Sequence, residues 1–532
     1  MNKLIRCLTG IGGSLLLAGS CMTGLSVSAD AESSFTEGSI TYTIAAGGVA
    51  VSGADSAAEK LTIPAETKDG KKVLRIADNA LSGCASLKEV TIEPGLTEIG
   101  SGAFSQCAAL ESVSIPDSVT AIGAGAFYYC MALESLELPD SVKTLDEYVF
   151  SNCYALESIR LPRGLDTLPP YAFYYDIGLS EITLPDGLVH ISEMSFVNCM
   201  SLKTLSLPAS LTDFGMYSVL SCMGLDEIKV DPANPVYRTN DQGWLVTKDG
   251  KALVLYPAGC EERSATVANG IEQIMPYAFS GALALEEVRL PDSLTEIGDG
   301  AFADCRMLNK INLPFRLTSL PPSLFAHCAN LSSVTIPENI TSIGSYAFFC
   351  TGLTGVTIPE AVTSIDGYAF CGCSNLREVS VPKSVTEIGE KAFGYAVSSE
   401  EEGAEPTLDP TFVLHGRPAS AAKKYAAESG VTFRQHGIDP TVLICVLAVA
   451  AAVLIIAGSL ILGKKKSVNA ADAAKGASAP EKISDPNYTS ILDEDDGDPY
   501  DRSYGFSAED DAEDDTEDDA EDTGAETEPD QE

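Results

Sequence analysis

Histidine, tryptophan and positive charge are scarce in this chain of 532 residues. The four histidines, His190, His327, His415 and His436, stand at no metal-ligand spacing to cysteine or acid, so no metal site is expected. Trp244 is the lone tryptophan, and it reads as the core of a small hairpin rather than a sugar platform. Lys and Arg number 34 against 76 acids, a net charge of −42. Such a chain repels nucleic acid, and no nucleic-acid partner is expected. Nucleophile elbows, phosphate loops and dinucleotide fingerprints are also missing. Paired acids such as Glu286-Glu287 alternate like a solvated strand face. Neither catalysis nor a cofactor is expected.

What is present is a period. Counting from Pro116, apolar or small residues fall at Val119, Ile122, Ala126, Phe127, Cys130, Leu133, Leu136 and Leu138. The same offsets recur from Pro291 as Leu294, Ile297, Ala301, Phe302, Cys305, Leu308, Ile311 and Leu313. A fixed spacing of 23 residues means a solenoid. Leu-x-x-Val-x-Ile-Pro alternates like a half-buried strand and stops at proline. Thr-x-Ile-Gly is a second short extended piece, and Ala-Phe-x-x-Cys is expected to form one helical or 3-10 turn. The expected ladder of rings is Phe104, Phe127, Phe150, Phe173, Phe196, Phe279, Phe302, Phe325, Phe348 and Phe370. The fold expected is therefore a β-rich solenoid of about 23-residue coils, with an N-terminal hairpin cap and an α/β C-terminal cap.

Fifteen cysteines would suit a disulfide framework, but their positions follow the repeat. Cys107, Cys130, Cys153, Cys199, Cys305 and Cys328, with Cys84, Cys222 and Cys373, lie three residues after the Phe or its substitute. Cys350 is placed in the same slot of a shortened repeat. A small buried thiol suits a tight corner; disulfides between adjacent coils and a metal remain alternatives. Cys260 and Cys371 fall outside this ladder and read as the more reactive or bridging thiols.

In chain order, Lys3 and Arg6 precede an apolar run that ends in small residues, which reads as a signal peptide over 1–29, cleaved after Ala29 or Ala31. A hairpin cap is expected over 32–72, repeats over 73–231, and a hairpin excursion over 232–264 that turns at Lys248-Asp249-Gly250-Lys251. Repeats resume over 265–396, followed by an acidic loop and terminal cap over 397–437. Thr441 to Leu462 carries no charge and precedes Lys464-Lys465-Lys466. At about 33 Å as a helix it is expected to span a membrane once, with the repeats extracellular and the C-terminus cytoplasmic. Residues 463–532 read as a disordered acidic tail.

Recognition surfaces carry more information than any catalytic motif. The slot two residues before the Phe is tyrosine at 148, 171, 217, 277, 346 and 368. With Tyr128, Tyr129, Tyr154, Tyr174 and Tyr175, the residues Tyr148 and Tyr171 form a candidate ligand surface, since tyrosine offers rigid amphipathic contact area. The alternative is that each ring packs along the coil corner.

The run from Ile115 to Leu133 reads Ile-Pro-x-Ser-Val-Thr-x-Ile-Gly-x-x-Ala-Phe-x-x-Cys-x-x-Leu. It strongly resembles the BspA-like, treponemal-type leucine-rich repeats, over about residues 73–395. Ser420-Ala421-Ala422-Lys423-Lys424-Tyr425-Ala426 is similar to that family's terminal cap. The resemblance implies a surface protein, some relatives of which bind host matrix proteins or other cells. The expectation is thus a membrane-anchored adhesion module that binds an extracellular protein or glycan. Two alternatives stand beside it: a receptor or scaffold whose acidic tail recruits a basic cytoplasmic partner, and an envelope-organising structural protein.

Overall fold

The alternating Leu-x-x-Val-x-Ile segments do form short strands, with one side chain in and its neighbours out. Ser135–Glu137 buries Leu136 and exposes both flanks. It pairs in parallel with Ser158–Arg160, which pairs with Glu181–Thr183. Thr-x-Ile-Gly supplies a second parallel ladder, in which Glu98–Ile99, Ala121–Ile122 and Thr144–Leu145 pair successively. The computed structural model describes residues 34–397, 405–435 and 447–455.

The third side of each coil differs from expectation. Ala-Phe-x-x-Cys forms separate hydrogen-bonded turns rather than a continuous helical or 3-10 turn, because left-handed residues bracket the Phe at two before and two after. Gly102 and Gln106 bracket Phe104 at φ 63° and 60°, and Tyr148 and Asn152 bracket Phe150 at 57° and 64°. A left-handed residue cannot continue a right-handed helix. Alternate N–H groups instead point to the next coil: Gly102, Phe104 and Gln106 donate to the carbonyls of Ala124, Ala126 and Tyr128. All three sides are therefore stitched between coils.

Inside run the stacked rings. Phe104, Phe127, Phe150, Phe173 and Phe196 follow one another at 5.3–5.8 Å between centroids. Val219 interrupts the series, and Tyr256 restarts it on Phe279 at 5.0 Å. From Phe279 it continues through Phe302, Phe325, Phe348 and Phe370. Phe393 extends the ladder one coil past the expected end, 4.9 Å from Phe370.

The cysteines have a directional role. From Cys130 on, the ladder thiols donate to the carbonyl of the Phe one coil earlier: Cys130 Sγ to Phe104 O at 3.2 Å, and Cys328 Sγ to Phe302 O at 3.1 Å. Cys107 donates to Leu81 O at 3.1 Å, since Leu81 stands in the Phe slot one coil earlier. The twelve described cysteines are all free thiols. In the shortened repeat the slot belongs to Thr351, not Cys350: Thr351 donates to Phe348 O and lies 3.2 Å from Cys373 Sγ. Cys350 sits one residue earlier, at left-handed φ. The residue is lost after the slot, since Leu353 follows Thr351 by two positions where Leu331 follows Cys328 by three. Cys371 is fully buried, and burial pushes its thiol up to about 12. Cys260 is half-buried and likewise pushed up to about 12, by burial and then Glu262. Neither is an activated thiol.

The caps follow the same logic. Ser34–Glu37, Ile40–Ala45 and Gly48–Ala54 form an antiparallel meander, one strand more than a hairpin, and its last strand starts the second ladder on Val73–Ile76. Lys60–Ile63 belongs to the first coil, paired with Glu89–Ile92. In the excursion, Leu245–Thr247 and Ala252–Leu255 flank the expected turn, with Gly250 at φ 73°. Ala252–Leu255 then pairs with Gln273–Ile274 and relays the ladder. Trp244 is core, packed on Tyr256 and Phe279. At the far end α1 (Ala421–Ser429) stops at left-handed Gly430. Its Tyr425 hydroxyl accepts from Phe393 N and donates to Phe393 O, closing the last ring layer.

The expected transmembrane helix is not supported. Among the described residues no helix is long and apolar enough to cross a membrane. Within 441–462 the described helix covers residues 447–455. The chain divides into the unit Met1–Ala448 and the unit Val449–Glu532. The signal segment 1–29 with its cleavage positions, and the tail 463–532, lie outside the described residues.

Candidate binding surface

The repeat leaves few positions free, and the tyrosines occupy them. Tyr148 and Tyr171 fill the left-handed slot two before the Phe, and Tyr129 and Tyr175 the left-handed slot two after it. Tyr128 and Tyr174 follow the Phe directly, and Tyr154 follows Cys153. Other coils place Gly102, Gly125 and Gly300 in the first slot and Asn152 and Asn198 in the second, the residue types such backbone favours. A tyrosine there costs about 1 kcal/mol of backbone strain relative to glycine. The ring must offset that cost.

All seven rings are half-buried. Tyr148 and Tyr171 stack at 4.4 Å and 5°. Tyr171 meets Tyr174 edge-on at 5.7 Å, and Tyr174 meets Tyr175 at 4.7 Å. Tyr128, Tyr129 and Tyr154 form the neighbouring group at 4.6 and 6.1 Å. Tyr154 Oη donates to Asn152 Oδ1 at 3.2 Å, and Asn152 Nδ2 to Ser151 Oγ at 2.8 Å. Burial raises the Tyr128 and Tyr148 phenols, and carries Tyr154 to about 12, with neighbouring tyrosines adding to each. These phenols are neutral donors and acceptors throughout the physiological range.

Packing and exposure divide the tyrosine column. Tyr277 is buried, in a satellite cluster with Met194, Val197, Leu220, Ala303, Ala326, Phe349 and Cys371. Tyr171, Tyr174, Tyr217, Tyr346 and Tyr368 pack against its edge. Sequence reasoning missed the companions of the cluster. Met131, Ile177 and Met200 occupy the slot after the Cys position and are 39, 40 and 37% exposed. With Tyr154 they form an apolar column at the 23-residue spacing. The signal was available as large apolar side chains filling one slot in consecutive coils. On the strand-bearing side, mostly polar residues, among them Ser158, Glu181, Thr183 and Lys203 with Ile159 and Ile182, line a recess of about 560 Å³.

The sequence pattern described as BspA type leucine rich repeat region, six copies long, matches residues 56–176, 166–238 and 260–400. The chain belongs to the BspA-type leucine-rich repeat family. A leucine rich cell surface protein from Faecalibacterium prausnitzii is 31% identical, with a TM-score of 0.56, over 68% of this chain and 92% of that one. A leucine-rich repeat protein from Bacteroides ovatus is 23% identical with a TM-score of 0.44, over 76% of this chain and 100% of that one. The pneumococcal vaccine antigen PcpA is 20% identical with a TM-score of 0.48, over 76% of this chain and 99% of that one. No curated protein matches the sequence. In this BspA-type chain the repeat accounts for the Phe, Cys and Leu slots and for the recurring tyrosine slot of Tyr148 and Tyr171, and the other five tyrosines stand at slots that vary from coil to coil.

Proposed function

We propose that this BspA-type chain is a cell-surface binding module, displayed outside the cell, that holds a partner protein through the tyrosine cluster. One observation carries the reading: seven half-buried tyrosines and three exposed apolar side chains are gathered on adjacent coils at positions the fold leaves free. Rigid aromatic side chains lose little conformational entropy on binding, and clusters of them dominate binding energy in protein interfaces. The surface relative from Faecalibacterium supports the location. Adhesion to a matrix or cell-surface protein is the role that suits a rigid rack of this kind, and catalysis has no part in it.

The test borrows residues from neighbouring coils so that folding is preserved. Tyr129→Asn and Tyr175→Asn copy Asn152 and Asn198, and Tyr154→Ala copies Ala108. The chain and the triple variant are screened against matrix proteins and cell-surface preparations. Binding of the captured partner is expected to fall by roughly 30-fold or more in the triple variant, the scale of a lost hot spot. The thermal midpoint should stay close to that of the parent. An unchanged affinity removes the cluster from consideration.

A further inference from the structure

We propose that the tyrosine cluster receives a basic polypeptide segment, whose lysine or arginine side chains lie over the tyrosine rings and pair with Glu147 and Glu193. The inference rests on the binding role given above and adds the chemistry of the partner.

The chain itself displays the contact. In the coil of Phe393, the slot two before the Phe holds Lys391, where earlier coils hold tyrosine. Lys391 Nζ lies 5.6 Å from the centroid of the Tyr368 ring and pairs with Glu405. One end of the tyrosine column is thus covered by a cation held between a ring and a carboxylate. The other end carries no such cover from its own slot: in the coil before Tyr148 that position is Gly125, which has no side chain. A cation over an aromatic face is attracted by the ring quadrupole, most strongly when partly desolvated.

Charge points the same way. Between residues 116 and 207 there are twelve acids and four bases. The bases lie elsewhere: Arg160 and Arg163 pair with Asp140, Lys143 donates to the Asp140 carbonyl, and Lys203 lines the strand-side recess. Asp146 and Glu147 immediately precede Tyr148, and Glu193 occupies the equivalent place two coils on. Glu147 and Glu193 are exposed and make no ion pair among the described residues. A partner segment bearing Lys or Arg would meet both carboxylates and the half-buried rings of the cluster. The apolar column of Met131, Ile177 and Met200 would take the stems of those side chains.

The experiment measures fluorescence anisotropy of labelled 15-residue peptides against the full chain, at 50 and 300 mM salt. Three peptides share one apolar pattern and carry Lys/Arg, Gln or Glu at the remaining positions. The basic peptide is expected to bind, and Glu147→Gln/Glu193→Gln to weaken it about tenfold at low salt, with a smaller loss at high salt. Glu338→Gln/Glu360→Gln, two exposed acids on distant coils, is expected to leave its affinity unchanged. Equal losses in the two pairs, equal binding of the Gln peptide, or no binding of the basic peptide overturns the inference. The broader reading is separated by the captured partner. If that partner is lost by the tyrosine triple variant and kept by the Glu147/Glu193 pair, the cluster binds and the basic chemistry is wrong.

Discussion

Replacing Phe150 by alanine will destabilise the repeat unit by about 3–5 kcal/mol, the range for a buried aromatic truncated to alanine. Phe150 is fully buried between Phe127 at 5.8 Å and Phe173 at 5.5 Å. Its loss strips a ring face from each neighbour and opens a cavity whose walls are held by intercoil hydrogen bonds. Phe150 N donates to Ala172 O, and Cys153 Sγ to Phe127 O, so the backbone cannot collapse inward without breaking them. Each coil is stable only through its neighbours, so the damage is concentrated at one interface in the stack. Urea unfolding followed by circular dichroism should show a lowered midpoint, with the coils before the gap releasing separately from those after it. Tyr154→Ala, at the rim of the same coil, should shift the midpoint by less than about 1 kcal/mol equivalent. If the two variants behave alike, the ring ladder is not what holds the coils together.

The solenoid was legible because its slots are hydrophobic and periodic, and burial is what hydrophobic periodicity reports. Two features escaped for a common reason: they are set by backbone direction rather than by side-chain character. The left-handed residues bracketing each Phe include Gly, Asn, Gln, Asp, Ser, His, Met and Tyr, a mixture that no polarity pattern reveals. The thiol of the Cys slot looked like a small apolar filler, whereas its recurring contact is the Phe carbonyl one coil earlier. The same blindness misplaced Cys350. A one-residue deletion can fall on either side of a slot, and only the contact of Thr351 with Phe348 O and Cys373 Sγ shows which. The tyrosine surface was half legible. Its residues stood out by type, but their joining into one patch depends on the coil corner, and the exposed Met131–Ile177–Met200 column went unread because its slot belongs to none of the repeat's marked positions. The uncharged stretch 441–462 satisfied a composition rule for a membrane span, but among the described residues no helix is long and apolar enough to cross a membrane.

Asp176 offers the sharpest separate test, because it stands where the ladder holds cysteine. It is fully buried, and its Oδ1 accepts from Cys153 N at 2.8 Å while Oδ2 has no partner. Burial raises its carboxyl well above the ordinary carboxylate range, against the opposing pull of the Cys153 and Asn152 N–H groups. The folded chain therefore keeps a proton that the unfolded chain releases at about pH 4. Above that pH and up to the raised folded value, the unfolded state binds fewer protons, so stability falls as pH rises; below about pH 4 both states are protonated and the penalty vanishes. Asp176→Cys should restore the thiol-to-carbonyl bond to Phe150 O, and Cys153 N keeps its own acceptor at Phe150 O. The variant is expected to be more stable than the parent by about 1–3 kcal/mol at pH 7.5, the cost of an unsatisfied buried polar group. Melts under reducing conditions from pH 4 to 8 should show that advantage shrinking steadily toward acid. An advantage that is absent, or that grows as pH falls, would mean that Asp176 is held charged by partners the ladder geometry does not supply.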